Sequence, residues 1–275
     1  MLKGKETMYK IKVNNFDIKK ICNSGQCFRM SEIETGIYAV IAFDSYIEIS
    51  QREDELILTC TEDEFNNLWQ EYLGLNDDYD SIESLIKDDS YMKDAMEYGY
   101  GIRILKQDVW ETLVSFIISQ QNNIPRIKKS INILCERYGE KKINFRNQEF
   151  YTFPTPEALM SVSEEELRDC NLGYRSKYIL KTTAAIANDV TYLERLAKLN
   201  YEDAKKELMK LYGVGIKVSE CICLYALHHM DAFPVDTHIQ NVLGNYYPGG
   251  FPFEKYKGYA GPLQQYAFYY DLFNK

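Results

Sequence analysis

The chain has 275 residues, of which 45% are hydrophobic, so it is long enough for one large domain or for two to three small ones. No stretch reaches the roughly 18 apolar residues of a membrane span, and residues 1–14 lack the apolar core of a signal peptide. The formal net charge of −9 argues weakly against nucleic acid as a partner, because phosphate binding normally requires a basic face. The seven cysteines are scattered, which favours free thiols in a reducing compartment over a metal cluster. We therefore expect a cytoplasmic protein without membrane contact.

The N-terminal part, residues 8–60, has the pattern of a small antiparallel sheet. Tyr9, Ile11 and Val13 alternate with two lysines, and this period of two is typical of a strand with one buried face. Asp17 suits the N-cap of a short helix that ends near Gly25. Similar apolar runs predict further strands over residues 37–43, 46–49 and 55–60.

From about residue 62 onward the pattern is helical. One apolar stripe at helical spacing predicts a buried helix face: Trp110, Leu113, Val114, Ile117 and Ile118. Further helices are predicted over residues 124–138, 163–169 and 175–190. Residues 144–156 lack periodicity and contain two prolines, which predicts a connecting loop. The expected fold class is therefore α+β, with a small N-terminal antiparallel sheet domain (residues 1–95) followed by a mostly helical region (residues 96–275).

The sharpest local signal lies in residues 201–229, where two helical patterns flank the tripeptide Gly213-Val214-Gly215. Two glycines around one apolar residue make a tight hairpin whose backbone can approach a ligand closely. The amides at the start of the second helix point outward and carry the positive end of the helix dipole. Such a hairpin would hold phosphates without basic side chains, as an acidic DNA-binding protein requires. The alternative is an ordinary helix–turn–helix packing unit.

Lys217 falls in the first turn of the second helix, where the dipole favours the neutral amine that a Schiff-base nucleophile requires. Asp236 suits an N-cap and, if close to Lys217, would stabilise positive charge on a sugar or move protons. His238 would donate to a phosphate. The alternatives are a solvated lysine, a purely structural cap and a satisfied surface histidine.

These residues resemble the helix–hairpin–helix signature of DNA base-excision glycosylases, in which a glycine-rich hairpin precedes a lysine and a proline-containing turn ends in aspartate. The lysine marks the bifunctional members. Five separated segments between about residues 8 and 273 narrow the resemblance to the 8-oxoguanine DNA glycosylase/AP lyase branch of the HhH-GPD superfamily. They are SGQCFR (24–29), GIRILKQD (101–108), SFIISQQNNI (115–124), LGYR (172–175), and YAG (259–261) with Gln264 and Phe268.

The resemblance implies an enzyme that flips 8-oxoguanine out of duplex DNA, excises it, preferably opposite cytosine, and cleaves the strand by β-elimination. Lys217 would attack the anomeric carbon of the sugar and form the Schiff base. Asp236 would stabilise the charge that develops on the sugar. No metal or other cofactor is expected. The partner would be double-stranded DNA containing 8-oxoguanine, bound by a monomer.

Four residues would form the pocket for the flipped base. The Gly25 carbonyl would accept the N7–H that 8-oxoguanine has and guanine lacks, and Gln264 would read the Watson–Crick edge. Phe268 and Cys221 would sandwich the base. Each also has a structural alternative, namely a helix terminator at Gly25 and ordinary core packing for Phe268 and Cys221.

A second group would contact the DNA around the lesion. Tyr174 would wedge into the duplex, and Arg175 and Arg126 would contact the widowed cytosine. Gln121 and Asn122 would lie near the space that the extruded nucleotide leaves. The hairpin glycines would bind the backbone, and the histidine would touch a phosphate beside the lesion.

Two other functions stay open. One is a glycosylase of the same superfamily with another substrate, such as alkylated purines, against which Lys217 and the segment 24–29 argue. The other is a non-catalytic helix–hairpin–helix module, which leaves Lys217 and Asp236 unexplained. It also leaves the pair Gln264 and Phe268 unexplained. The high content of Lys, Ile, Asn and Tyr indicates an AT-rich, bacterial genome.

Overall fold

The computed structural model describes residues 7–274, so the first six residues of the predicted N-terminal domain lie outside it. The strands are β1 (Tyr9–Lys12), β2 (Met30–Glu34), β3 (Ile37–Ala42), β4 (Ser45–Arg52), β5 (Glu55–Leu58), β6 (Lys141–Ile143) and β7 (Glu149–Tyr151). The helices are α1 (Ile18–Asn23), α2 (Glu62–Glu64), α3 (Gln70–Tyr72), α4 (Ile82–Leu85), α5 (Ser90–Gly99), α6 (Val109–Ser119), α7 (Ile124–Tyr138), α8 (Pro156–Met160), α9 (Glu164–Leu167), α10 (Arg175–Ala187), α11 (Tyr192–Leu196), α12 (Tyr201–Leu208), α13 (Ile216–Tyr225), α14 (Thr237–Tyr246) and α15 (Ala260–Phe273). Two π-helical segments, Phe65–Trp69 and Arg168–Leu172, follow α2 and α9.

The N-terminal sheet is antiparallel throughout, with the strand order β1-β5-β4-β3-β2. The four predicted strands are confirmed, and α1 covers one face, with Ile18 and Ile21 buried against the sheet. The sequence analysis missed β2, an edge strand in which only Met30 is buried. An edge strand with one buried residue has no alternation to detect, because its other side chains face solvent.

The helical region surrounds α6, in which every residue from Trp110 to Ile118 is buried. A helix that is buried on every side belongs in the middle of a core, and α7, α10 and α13 pack around this one. A separate core joins α5, α14 and α15, and its members include Tyr256 and Tyr266. The predicted small sheet followed by a mostly helical region is confirmed. The division at residue 95 stays a prediction.

The predicted loop over residues 144–156 is wrong in part, because β7 lies within it and pairs with β6. The side-chain oxygen of Asn144 accepts hydrogen bonds from the backbone amides of Arg146 (3.0 Å) and Gln148 (2.9 Å), and these bonds close the turn. Strands of three residues are too short to show a period of two. Within residues 7–274, no helix has both the length and the apolar character needed to cross a bilayer.

Candidate functional site

The hairpin between α12 and α13 has the tight turn that its glycines predict. Gly213 has φ of +86°, and a Cβ atom there would lie 2.6 Å from Cγ of Tyr178, so only glycine fits. Gly215 is the N-cap of α13 and provides no side-chain cap. Within the described part of the chain, no group accepts a hydrogen bond from the amides of residues 216–218. These amides and the dipole of α13 therefore form a site suited to an anion.

Lys217 lies in the first turn of α13, as predicted, with its ammonium group 5.1 Å from the centroid of the Phe116 ring. One turn further along α13, Cys221 is only 2% exposed. Burial raises the pKa of the Cys221 thiol to about 11; the charge and hydrogen bond of Lys217 lower that pKa, and the charge of Asp236 raises it. The charges of both predicted catalytic groups therefore reach the same buried thiol.

Asp236 is the N-cap of α14, as predicted, and its carboxylate accepts a hydrogen bond from the amide of Ile239 at 3.0 Å. The segment before it is held from two sides. The amide of Phe233 donates to the buried carboxylate of Glu220 on α13 (2.9 Å), and the side chain of Gln264 on α15 donates to the carbonyl of Pro234 (2.9 Å). These bonds fix the aspartate relative to the helix that carries the lysine.

The predicted base pocket brings Gly25, Gln264 and Phe268 together. Gly25 has φ of +75°, and a Cβ atom there would lie 3.4 Å from the Phe268 ring, so the glycine backbone faces this ring. No donor among residues 7–274 reaches the Gly25 carbonyl. The amide oxygen of Gln264 is buried and also lacks a partner in this range. A buried acceptor without a partner is costly, so the pocket offers two acceptors to a ligand that carries N–H groups.

His238 joins the pocket through a contact that the sequence analysis missed. Its Nδ1 atom lies 2.6 Å from a carboxylate oxygen of Asp271, and its ring meets Phe268 edge to face with the centroids 5.4 Å apart. Asp271 lies three residues after Phe268, so both lie on one face of α15. The carboxylate orients the imidazole and leaves Nε2 for a phosphate.

The loop between α6 and α7 is tied to the hairpin. The side chain of Gln120 donates to the Gly213 carbonyl at 3.0 Å. Gln121 is exposed and has φ of +47°, an uncommon conformation for a residue other than glycine. The side chain of Asn122 donates to the carbonyl of Ile118 at 3.1 Å. The predicted gap-filling residues thus follow directly after a residue that is bonded to the hairpin.

The remaining predicted DNA contacts differ in their surroundings. Tyr174 is 42% exposed and packs edge to face on Tyr178, with the ring centroids 5.4 Å apart. Arg126 is exposed, and within residues 7–274 only its backbone amide, not its guanidinium, has a hydrogen-bond partner. Arg175 is instead buried and donates to the carbonyls of Gln120 (2.8 Å) and of the next residue. Its predicted contact with cytosine stays a prediction.

The structure combines a hairpin with open amides, a lysine in the next helical turn and an aspartate at an N-cap. This combination is the helix–hairpin–helix signature of DNA glycosylases that the sequence resembles. Residues 114–249 match the family described as HhH-GPD superfamily base excision DNA repair protein, and residues 8–113 match the 8-oxoguanine DNA glycosylase, N-terminal domain. The apo structure of 8-oxoguanine glycosylase/lyase from Clostridium acetobutylicum is 37% identical, with a TM-score of 0.91, and the match covers 97% of each chain. The chain belongs to the 8-oxoguanine DNA glycosylase family.

Two further relatives extend this comparison. The Clostridium acetobutylicum protein in complex with double-stranded DNA containing cytosine opposite 8-oxoG is 36% identical, with a TM-score of 0.91, and the match covers 98% of each chain. The N-glycosylase/DNA lyase of Saccharomyces cerevisiae is 42% identical over 153 residues, which are 52% of this chain. The chain spans about two fifths of the length of the first curated relatives that it matches, 41% in each case.

Proposed function

We propose that this protein excises 8-oxoguanine from double-stranded DNA, preferably opposite cytosine, through a Schiff base on Lys217, and then cleaves the strand as an AP lyase. The observation that carries the proposal is the pair of unpartnered acceptors, the Gly25 carbonyl and the Gln264 amide oxygen, beside the Phe268 ring. Lys217 and Asp236 are both close enough to Cys221 to shift the pKa of its thiol.

The two acceptors match the donors of 8-oxoguanine. Its N7–H suits the Gly25 carbonyl, and N1–H and the exocyclic amine suit the Gln264 oxygen. Guanine has a lone pair on N7, so its binding would place two acceptors against each other and leave the carbonyl unpaired. A pocket built to hydrogen-bond one group rejects the analogue that lacks it, because buried polar groups are then left unsatisfied.

The chemistry begins with the neutral amine of Lys217, which attacks C1′ of the sugar. The C1′–N9 bond breaks, its electron pair leaves with the base, and the base takes up the proton that the attacking nitrogen loses. The C1′–O4′ bond then opens to give the Schiff base while O4′ gains a proton. Loss of a proton from C2′ expels the 3′ phosphate, and water finally releases the lysine. Throughout base departure, the negative charge of Asp236 stabilises the positive charge on the sugar.

The hairpin supports binding of the DNA backbone despite the net charge of −9. Open amides at the start of α13 suit one phosphate, and the free Nε2 of His238 suits another. Flipping a base costs a few kcal/mol, which the exposed Tyr174 wedge and the loop at Gln121 would offset by filling the space. We further propose that the protein acts on DNA as a monomer in the cytoplasm.

Borohydride trapping tests the proposal. Duplexes would carry 8-oxoguanine opposite cytosine, an alkylated purine, undamaged guanine or an abasic site, and covalent adducts would be counted on denaturing gels. We expect adducts with 8-oxoguanine and the abasic site, and none with the other two duplexes. Lys217→Gln should lose every adduct while it keeps its affinity for lesion DNA. An adduct that survives in this variant would place the nucleophile elsewhere.

A further inference from the structure

The Gly25 carbonyl stands between two carbonyls that are both occupied. The carbonyl of Ser24 accepts a hydrogen bond from Nε2 of Gln265 at 2.8 Å. The carbonyl of Gln26 accepts one from Nε2 of Gln107, also at 2.8 Å. Side-chain amides therefore hold the Ser24–Gly25 and Gln26–Cys27 peptides. The Gly25–Gln26 peptide lies between them, and its carbonyl has no hydrogen-bond partner within residues 7–274.

Gln265 is held in one orientation by Tyr225. Its Oε1 atom accepts a hydrogen bond from the Tyr225 hydroxyl at 2.7 Å, and the two residues are 1% and 5% exposed. Burial raises the pKa of this hydroxyl well above its ordinary value, so the proton that it donates stays in place. Since the Ser24 carbonyl can only accept, a flipped Gln265 amide would set two oxygens against each other.

Gln264 and Gln265 are neighbours on α15 and differ in how many of their side-chain hydrogen bonds are made inside the protein. The amide oxygen of Gln264 has no partner within the described chain, whereas both ends of Gln265 are satisfied inside the protein. The Tyr225 ring also stacks on Phe116, with the centroids 5.4 Å apart and the planes 19° apart, and the Lys217 ammonium lies over that same Phe116 ring. One chain of contacts thus connects the lysine with the turn that carries Gly25.

We propose that Gln265 is a positioning residue that aims the Gly25 carbonyl at N7–H of 8-oxoguanine, and that Tyr225 fixes the orientation of the Gln265 amide. The inference rests on the proposed function. Without the amide, the Ser24–Gly25 peptide can rotate, because glycine has no Cβ to resist the rotation. A rotation there turns the adjoining Gly25–Gln26 peptide, so its carbonyl would lose its alignment with N7–H, while Lys217 and Asp236 would stay in place.

Base excision and abasic-site cleavage separate this role from a general structural one. Both reactions need the lysine, but only excision needs the base to be read. Gln265→Met keeps the length of the side chain and removes both hydrogen bonds. We expect single-turnover excision of 8-oxoguanine to fall about ten- to a hundredfold, the range for loss of one specific base contact, and cleavage at an abasic site to change less than about threefold.

A second readout needs no catalysis. In the Lys217→Gln background, the ratio of affinities for duplexes with 8-oxoguanine and with guanine should fall about tenfold on adding Gln265→Met. Tyr225→Phe keeps the ring stacked on Phe116 and removes only the donor, so it should lower the same ratio by about three- to tenfold. The matched control is Tyr192→Phe, which removes a buried hydroxyl bonded to the carbonyl of Glu207, and it should leave the ratio unchanged.

Each outcome of these measurements either supports or overturns the positioning role of Gln265. Parallel loss of excision and abasic-site cleavage, or an unchanged affinity ratio, would overturn the positioning role. If Gln265→Met does not fold, Tyr225→Phe carries the test alone, and a wild-type ratio in that variant overturns the proposal. A wild-type protein that cleaves abasic DNA but ignores 8-oxoguanine would instead refute the proposed function, so the two failures are distinguishable.

Discussion

Two arginines predicted to read the same cytosine have different surroundings in the protein. The guanidinium of Arg175 donates to the carbonyls of Gln120, Gln121 and Leu172, the last at 3.4 Å, and so holds the end of α6 against the start of α10. Arg126 extends from the first turn of α7 with its guanidinium free of partners in residues 7–274. The two alanine variants should therefore have different consequences.

Arg175→Ala should lower the free energy of unfolding by about 2–3 kcal/mol, since it removes donors from three carbonyls and each lost bond is worth about 1 kcal/mol. Part of this loss is recovered, because water can reach the exposed side of the loop. Arg126→Ala should change stability by no more than about 0.5 kcal/mol, as for most exposed side chains. Urea unfolding at one pH and salt concentration measures both values.

Excision opposite each of the four bases provides the functional comparison. Cytosine offers the acceptors N3 and O2 to a guanidinium, whereas adenine presents a donor, so Arg126→Ala should reduce the preference for cytosine over adenine about ten- to a hundredfold. Arg175→Ala should lower single-turnover rates opposite all four bases, because the loop loses its anchor. Equal wild-type rates opposite cytosine and adenine would refute the cytosine assignment for both arginines. A changed preference in a fully stable Arg175→Ala protein would refute the anchoring role.

The features that could be predicted from the sequence are local ones. A turn that needs a glycine at positive φ, a lysine in the next helical turn and an aspartate at an N-cap all follow from neighbours within a few residues. The structure confirms these positions for Gly213, Lys217 and Asp236. The net charge argued against a nucleic-acid partner. That argument is weak, because a count of charged side chains does not include the open backbone amides of the hairpin.

The features that were missed depend on distant contacts. Gln265 lies 241 positions from Ser24, and no local pattern distinguishes its role from that of Gln264. The sequence analysis placed Arg175 at the DNA surface. Its bonds to backbone carbonyls could not be predicted, because those carbonyls come close to it only where the fold places the end of α6 beside the start of α10. Asp271 could have been found as a carboxylate one helical turn beyond Phe268, but its partner His238 belongs to another helix.

Four further variants test the site. Gly213→Ala should destabilise the protein by about 1–3 kcal/mol, because a Cβ atom at positive φ would meet an aromatic ring. Gly215→Ala has open space around its Cβ, so it should keep the stability of the wild type and weaken DNA binding; a gel shift with wild-type affinity for Gly215→Ala would contradict this. Asp236→Asn keeps an oxygen for the cap, so the free energy of unfolding should change by at most about 1 kcal/mol. The rate of excision should fall at least about a hundredfold, because the negative charge is lost. Near-normal turnover together with a large loss of stability would show that Asp236 has a structural role only. The last prediction concerns Cys221, whose thiol has its pKa raised to about 11 by burial. Because the thiolate is the reactive form, at pH 8 this residue has about a hundredfold less of it than an ordinary thiol with a pKa of 9.0, and alkylation should still accelerate with pH up to 10. Lys217→Met removes the charge that lowers this pKa, so labelling at each pH should become slower. Peptide-level mass spectrometry with a denatured reference measures both effects, and a labelling rate that is half-maximal near pH 9 and levels off toward pH 10 would show that the thiol ionises as if it were exposed and outside the pocket.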